Sequence, residues 1–198
     1  MKSILILLLV SIVLAPDSRL AAQSTPWQLD PAHSSAQFAV RHMGISTVRG
    51  TFTKLSGTAR YDAADLKNSS VEVTIDTASV DSRVEMRDND LRSDHFFDVQ
   101  KYPTITFRST KIESAGAAKL KITGDLTIRG TTKPVTLDVD GPSKPFNDGQ
   151  GHLHMGVSAT GVVNRTDFGM TGYQGVVGNE INLTIDAELV QPTTNPAK

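Results

Sequence analysis

The stretch KLKITGDLTIRGTTKPVTLDVD, residues 119–140, alternates apolar and polar side chains on both sides of a short polar break. In the first half the apolar positions are Leu120, Ile122, Leu126 and Ile128, and in the second half they are Val135, Leu137 and Val139. A period of two indicates a strand with one apolar, buried face and one polar, solvent-exposed face. The stretch therefore predicts two antiparallel strands joined through residues 129–134.

The same alternation recurs on both sides of this hairpin. It is found in the segments around residues 37–42, 71–76, 105–108 and 181–189. Residues 62–70 and 114–118 are further short connections of polar or small residues, which suit hairpins better than crossovers. About eight strands at this spacing predict an all-β fold, an antiparallel barrel or a sandwich.

One segment breaks the period. Residues 81–97 are mostly charged, and their apolar side chains are irregularly spaced. Ser82 is a candidate helix N-cap, and Ser93 a candidate for a second turn. We interpret the segment as one or two short helices between strands, near residues 82–97, lying over one end of a barrel.

The two ends of the chain differ from the strand-rich middle. Lys2 followed by an apolar run from Ile4 to Leu14 is typical of a secretory signal, and the run is too short to span a bilayer. We expect a signal peptide at residues 1–22, with an uncleaved anchor as the alternative, and a periplasmic or secreted protein. Residues 23–190 are expected to form one domain that does not span the membrane, followed by a flexible tail at residues 191–198.

Composition excludes several classes of function. The chain has 20 Lys and Arg against 21 Asp and Glu and carries no basic stripe, which argues against nucleic acid as a partner. It has no cysteine, so thiolate nucleophiles, thiolate zinc sites and iron–sulfur clusters are excluded. The sequence also lacks a nucleophile elbow, an H-E-x-x-H helix and a P-loop. We therefore predict no catalytic residues and no cofactor.

The apolar face of the strands, which would point into a barrel, is the candidate binding surface. An eight-stranded barrel has an interior that is either filled by side chains or holds one ligand. Small inward residues leave room for a cavity, although a packed barrel also uses them to fit its taper. If a cavity exists, the alternation predicts that it is lined by Phe38, Val40, Phe52, Val73, Ile75, Phe107, Leu126, Ile128 and Ala159. Such a wall suits a long apolar molecule, which binds through burial alone.

Two polar residues are candidates for contact with a ligand head group. His42 shares the face of Phe38 and Val40 at a strand end, where it is either a satisfied core histidine or a ligand contact. Arg165 lies two residues from Asp167, so the two side chains could share a polar network. Arg165 then either fixes one end of the barrel through polar contacts (a polar lock) or makes a second contact with the head group.

Two clusters invite a metal-site interpretation. His152 and His154 would face the same way in a strand, but neighbouring glycines favour a solvated loop, and no third ligand lies at an obvious spacing. Asp88, Asp90 and Asp94 do not follow the order of an EF-hand loop and are interpreted as a solvated face. We therefore predict no metal site.

Four longer strings together resemble one known family. They are WQLDPAHSSAQFAVRHMGISTVRGTF (27–52), LRSDHFFDVQKYPTITFRST (91–110), GDLTIRGTTKPVTL (124–137) and NRTDFGM (164–170). In order and spacing they are similar to the YceI-like family of lipocalin-like periplasmic proteins. The resemblance implies an eight-stranded antiparallel barrel with an elongated cavity for polyisoprenoid chains, such as isoprenoid quinones or polyprenyl phosphates, or for related fatty amides. It implies no established enzymatic activity.

Three functional hypotheses remain open at this point. The first is a carrier or store for an isoprenoid or other long-chain lipid. The second is an enzyme that acts on a lipid head group, which requires His42, Arg165 and Asp167 to converge. The third is a ligand-free, stress-related interaction module with a packed core. Edge strands and small residues permit a homodimer without requiring one.

Overall fold

The computed structural model describes residues 25–192, which form an antiparallel barrel. Within this range the strands β1 to β11 are Trp27–His42, Ser46–Phe52, Leu55–Arg60, Ser70–Asp76, Val80–Asp81, Thr104–Gly116, Lys119–Ile128, Thr131–Asp140, Phe146–Asn147, His152–Asn164 and Val177–Pro192. Residues 25–192 also contain one α-helix, α1, at Glu85–Arg92, and 3-10 turns at Leu66–Asn68, Thr77–Ser79 and Arg165–Phe168.

The barrel closes because β1 pairs with β11 along most of its length. The barrel wall has eight strand positions, which we call staves. β2 and β3 together form one stave, interrupted at residues 53–54, and β4 and β5 together form another, interrupted by a 3-10 turn. The short strand β9 pairs with β10 at one edge. The prediction of an eight-stranded antiparallel barrel with a short helix near residues 82–97 is confirmed.

Residues 119–140 form the hairpin predicted from their alternation, with a tighter turn than expected. β8 begins at Thr131, so the connection is Arg129-Gly130 instead of residues 129–134. Both turn residues have positive φ, 49° and 69°, which is the backbone of a type I′ hairpin turn and twists in the same sense as the strands. The connection at residues 114–118 likewise contracts to 117–118, because β6 continues to Gly116.

The segment that breaks the period lies at one end of the barrel. We call this the helical end; it comprises residues 43–45, 82–103, 129–130 and 165–176. The opposite end, the loop end, comprises residues 61–69, 117–118 and 141–151. Arg129 connects two parts of the helical end, because its guanidinium donates to the carbonyls of Asp94 and Phe96 at 2.9 and 2.6 Å.

Two details of the helical segment differ from expectation. Ser82 is not the N-cap, because α1 begins after Val84; instead the amide and hydroxyl of Ser82 donate to Asp88 at 2.8 and 2.5 Å. The prediction of a solvated acidic face is therefore wrong for Asp88, which is buried by this contact. Asp90 pairs with His95 at 2.8 Å.

Apolar clusters lie at both ends of the barrel. The largest lies at the helical end, where Phe52, Phe96, Phe97, Phe168 and Met170 pack with strand residues. A second, at the loop end, joins Trp27, Ala59, Met155 and Leu189. The C-terminal strand continues to Pro192, two residues beyond the predicted domain boundary, because Gln191 and Pro192 pair with β10. The expected signal peptide and residues 193–198 of the expected tail lie outside the described residues.

Candidate functional site: the barrel cavity

A cavity of about 770 Å³ occupies the barrel interior. Its volume falls in the range of roughly 300–1,000 Å³ that is usual for small-molecule sites. It is lined by the inward positions of the staves, so the parity that buries the strands also builds its wall. All eleven residues predicted as ligand contacts line it: Phe38, Val40, His42, Phe52, Val73, Ile75, Phe107, Leu126, Ile128, Ala159 and Arg165. Their contact with a ligand stays a prediction.

The wall is apolar along the staves and polar toward its two ends. Along β1, it extends from Leu29 at the loop end to His42 at the helical end. With about 3.3 Å per residue and a strand tilt near 40°, this corresponds to roughly 25 Å along the barrel axis once the bulges are discounted. The polar groups at the helical end include Ser46, Arg87 and Asp90. The cavity is thus an elongated tunnel with an apolar wall and polar ends.

Two glycines let aromatic rings lie against the wall. Phe38 pairs across the strands with Gly50, and a Cβ on Gly50 would lie 2.4 Å from the Phe38 ring carbon Cζ. A Cβ on Gly124 would lie 2.5 Å from the equivalent atom of Phe107. Real Cβ atoms do not approach so closely, so each ring occupies the space that a side chain would fill. Both rings therefore lie close against the backbone of the neighbouring strand while lining the tunnel.

Substitution of Gly50 by alanine is expected to narrow the tunnel. The new Cβ must push the Phe38 ring inward, since that ring end is the nearest neighbour and the mobile partner. We expect several-fold weaker lipid uptake and about 1 kcal/mol of destabilisation, measured by titration with a quinone and by thermal unfolding. The double variant Gly50→Ala with Phe38→Ala should recover uptake, because the displaced ring is gone. Unchanged uptake in the single variant would contradict this role of the glycine.

Arg165 is held by the backbone at the helical end. It is only 2% exposed. Its Nε donates to Gly178, one Nη to both Met170 and Gly172, and the other Nη to Val177, at 2.7–2.9 Å. Burial lowers the pKa of the guanidinium. Four of its five N–H groups are therefore used by carbonyls of the 170–178 segment, which leaves one for a ligand.

The structure brings His42 and Arg165 into the same cavity but leaves Asp167 out of it. His42 is half-buried and pairs with Val177, whose carbonyl accepts from Arg165. Asp167 is exposed and lines a separate outer groove between β8 and β10. The convergence that the enzyme hypothesis requires is not formed by these three residues.

His152 and His154 lie in β10, so their interpretation as a loop pair is wrong. Their contacts are with carboxylates that are distant in sequence or separated by a turn. His154 Nδ1 lies 2.7 Å from Glu188 of β11, and His152 Nδ1 lies 3.2 Å from Asp148. The glycines at 149 and 151 form the turn that returns Asp148 to these histidines.

The alternation of apolar residues did not identify several residues that line the cavity. They come from α1 and from the segment that follows the last 3-10 turn: Arg87, Asp90, Leu91, Met170, Tyr173 and Val176. These segments have no simple period, so no alternation marks their inward side chains. Irregularly spaced apolar residues between strands were the available signal.

In the described part of the chain, no helix combines the length and apolar character needed to cross a bilayer.

Among relatives, the chain is 36% identical to the protein YceI of Salmonella arizonae over 192 residues, which covers 96% of this chain and 98% of the relative. It is 42% identical over 123 residues to a UPF0312 protein of Vibrio parahaemolyticus, covering 61% of this chain and 65% of that protein.

Solved structures show the same barrel. BcnA of Burkholderia cenocepacia matches with a TM-score of 0.71 and 28% identity, over 82% of this chain and 99% of that one. The Campylobacter jejuni YCEI protein matches with a TM-score of 0.67 and 34% identity, over 76% and 89% of the two chains. A polyisoprenoid-binding domain of Saccharophagus degradans, at 14% identity and a TM-score of 0.59, shares the fold over 84% of this chain and 98% of that domain. The family model for the YceI-like domain matches residues 27–189, and the chain belongs to this YceI-like family.

Proposed function

We propose that this protein binds a long apolar lipid of the isoprenoid type in its barrel and carries or stores it in the periplasm or outside the cell. The ligand would be a polyprenyl phosphate, an isoprenoid quinone or a fatty amide. The observation that carries the proposal is the tunnel of about 770 Å³ whose wall is apolar between its polar ends. The name of the Saccharophagus degradans domain, which shares the fold, supports the choice of isoprenoid.

Burial alone supplies the affinity in such a site. Each CH₂ group removed from water contributes about 0.8 kcal/mol, so a chain of some twenty carbons gains on the order of 10 kcal/mol or more. Part of this gain is lost in ordering the chain. The polar groups near His42 and Asp90 would face the head group, while the staves enclose the tail.

The two alternatives have less support. An enzyme acting on the head group would need converging polar groups, and Asp167 lies outside the cavity. A packed interaction module would have side chains where this barrel has its tunnel.

Native mass spectrometry of protein purified without detergent tests the proposal directly. Organic extraction then identifies the bound molecule. We expect one isoprenoid or long-chain lipid per barrel. A protein that is empty and also takes up neither added quinone nor added polyprenol would refute the proposal and favour the interaction module.

An exposed apolar rim at the helical end supports exchange with a lipid surface. Met43, Ile45, Tyr173 and Val176 are 59%, 78%, 50% and 40% exposed. They are neighbours, because the Met43 amide donates to the Val176 carbonyl at 2.7 Å. Tyr173 and Val176 also line the cavity, so the rim borders the tunnel. Apolar side chains grouped in this way are typical of contact with a partner or a membrane.

The variant Ile45→Glu is expected to slow lipid transfer from vesicles roughly fivefold or more, because the rim loses apolar area that would be buried in the bilayer. The final amount of bound lipid should not change, since Ile45 is not part of the tunnel wall. Transfer is followed with a fluorescent polyene lipid in donor vesicles. Val162→Glu is the matched control, because Val162 is 53% exposed on the outer wall of the barrel. Equal rates for the two variants would exclude the rim as the loading surface.

A further inference from the structure

Three neighbouring staves place metal-ligating side chains on the outer face at the loop end. Asp30 of β1 pairs directly with Glu188 of β11, and Glu188 pairs with Gly156 of β10. His154, two residues before Gly156, is therefore diagonal to Glu188 on the same face. Its Nδ1 lies 2.7 Å from Oε1 of Glu188.

A bulge in β1 adds a second histidine to this row. Between the pairs Asp30–Glu188 and Ser35–Asp186, β1 advances five residues and β11 advances two, which leaves three extra residues in β1. The bulge folds His33 back so that its Nδ1 lies 2.8 Å from Oδ2 of Asp30. The other carboxylate oxygen of Asp30 accepts a hydrogen bond from the backbone amide of Ala32 at 2.8 Å, which fixes the orientation of the carboxylate.

We propose that Asp30, His33, Glu188 and His154 bind a divalent transition-metal ion of the zinc type on the outer face of the barrel. The ligand atoms of Asp30, His33 and Glu188 all lie within 4.8 Å of one another. Two ligands of one tetrahedral zinc, each bonded at 2.0–2.1 Å, are roughly 3.3 Å apart. Closure of these three ligands on an ion therefore needs movements on the order of 1.5 Å, which the His33 side chain, 65% exposed, can supply; His154 joins them through Glu188, whose Oε1 lies 2.7 Å from its Nδ1.

The second nitrogen of His154 has a partner of the kind that metal-bound histidines use. Its Nε2 lies 3.4 Å from Oδ2 of Asp148, on the far side of the ring from Glu188. A carboxylate that holds the outer nitrogen orients the ring and makes the inner nitrogen a better ligand. The amides of Gln150 and His152 in turn donate to Asp148 at 2.7 and 3.0 Å and hold its carboxylate in place.

The donor set selects the class of ion. Two imidazoles with two carboxylates suit zinc, nickel or copper, whereas calcium and magnesium prefer oxygen alone. The surrounding charge also favours a cation, because the carboxylates of Asp30, Glu188 and Asp148 lie within 2.7–3.4 Å of the two imidazoles.

Calorimetric titration with zinc chloride tests the site in untagged protein freed of metal by a chelator. We expect one equivalent of zinc per chain. The variants His33→Ala and Glu188→Gln should each weaken binding at least tenfold, because each removes a ligand. Copper(II) gives a second readout: Trp27, the only tryptophan in the sequence, packs with Met155 and Leu189, which directly follow the proposed ligands His154 and Glu188 in the chain, so its fluorescence should be quenched.

His95→Ala is the matched control. His95 forms a pair with Asp90 of the same 2.8 Å length at the opposite end of the barrel, and its removal should leave zinc affinity within twofold. Glu188→Gln keeps the shape of the side chain, and thermal unfolding verifies that each variant is folded. The proposal fails if the wild type shows no saturable binding, or if His95→Ala costs as much as His33→Ala. Binding that survives His33→Ala but is lost in His152→Ala would move the ion to Asp148 and overturn the assignment.

Discussion

Replacement of Val73 by arginine is expected to abolish lipid uptake while the protein still folds. Val73 faces the tunnel from the middle of β4, where it pairs with Gly57 on one side and Phe107 on the other. A guanidinium there both fills the passage and places a charge against an apolar wall, so a lipid tail would have to desolvate it. Bound lipid after organic extraction should fall below about a tenth of the wild-type amount.

Two further variants separate blockage from misfolding. Val73→Trp fills the same space without a charge and should also remove most uptake. Thr74→Arg puts the same guanidinium on the neighbouring residue, which faces outward and is exposed, and should carry lipid normally. Full lipid stoichiometry in Val73→Arg, with a normal unfolding transition, would show that the tail does not occupy this part of the barrel.

The wall of the tunnel was predictable because strand parity is a local property. Along β7 the burial of Leu120, Ile122, Leu126 and Ile128 follows every second residue, as their spacing indicates. A strand in a closed barrel has only two faces, so alternation alone decides which side chains turn inward. All the predicted lining residues come from strands or, for Arg165, from the turn directly after one.

The ends of the barrel were not predictable in the same way. Asp90 and Tyr173 reach the cavity from irregular segments, whose side-chain directions depend on how the segments dock. The proposed metal site depends on pairing between β1, β11 and β10 and on a bulge in β1 that the sequence does not mark. His33 and Glu188 are 155 residues apart in the chain, and only the register of β1 against β11 brings them together.

Loss of the Arg165 guanidinium is expected to produce the largest loss of stability among the variants considered. In Arg165→Met, the carbonyls of Met170, Gly172, Val177 and Gly178 lose their shared donor. Leaving buried carbonyls unsatisfied costs about 1–3 kcal/mol each, and partial hydration reduces the sum, so we expect about 4 kcal/mol. For a domain of this size the melting temperature should fall by roughly 8–16 °C.

Arg108→Met provides the control, because it removes the same chemical group from an exposed position. Arg108 pairs with Glu72 at 2.6 Å, but both side chains are half or more exposed, so its loss should cost less than about 1 kcal/mol. Measuring lipid uptake alongside melting then decides between the two interpretations of Arg165. A large fall in melting temperature identifies it as the lock that holds residues 170–178 across the helical end. If Arg165→Met melts within about 2 °C of the wild type and loses lipid instead, its free N–H is the head-group contact, and the four carbonyls must be satisfied without it.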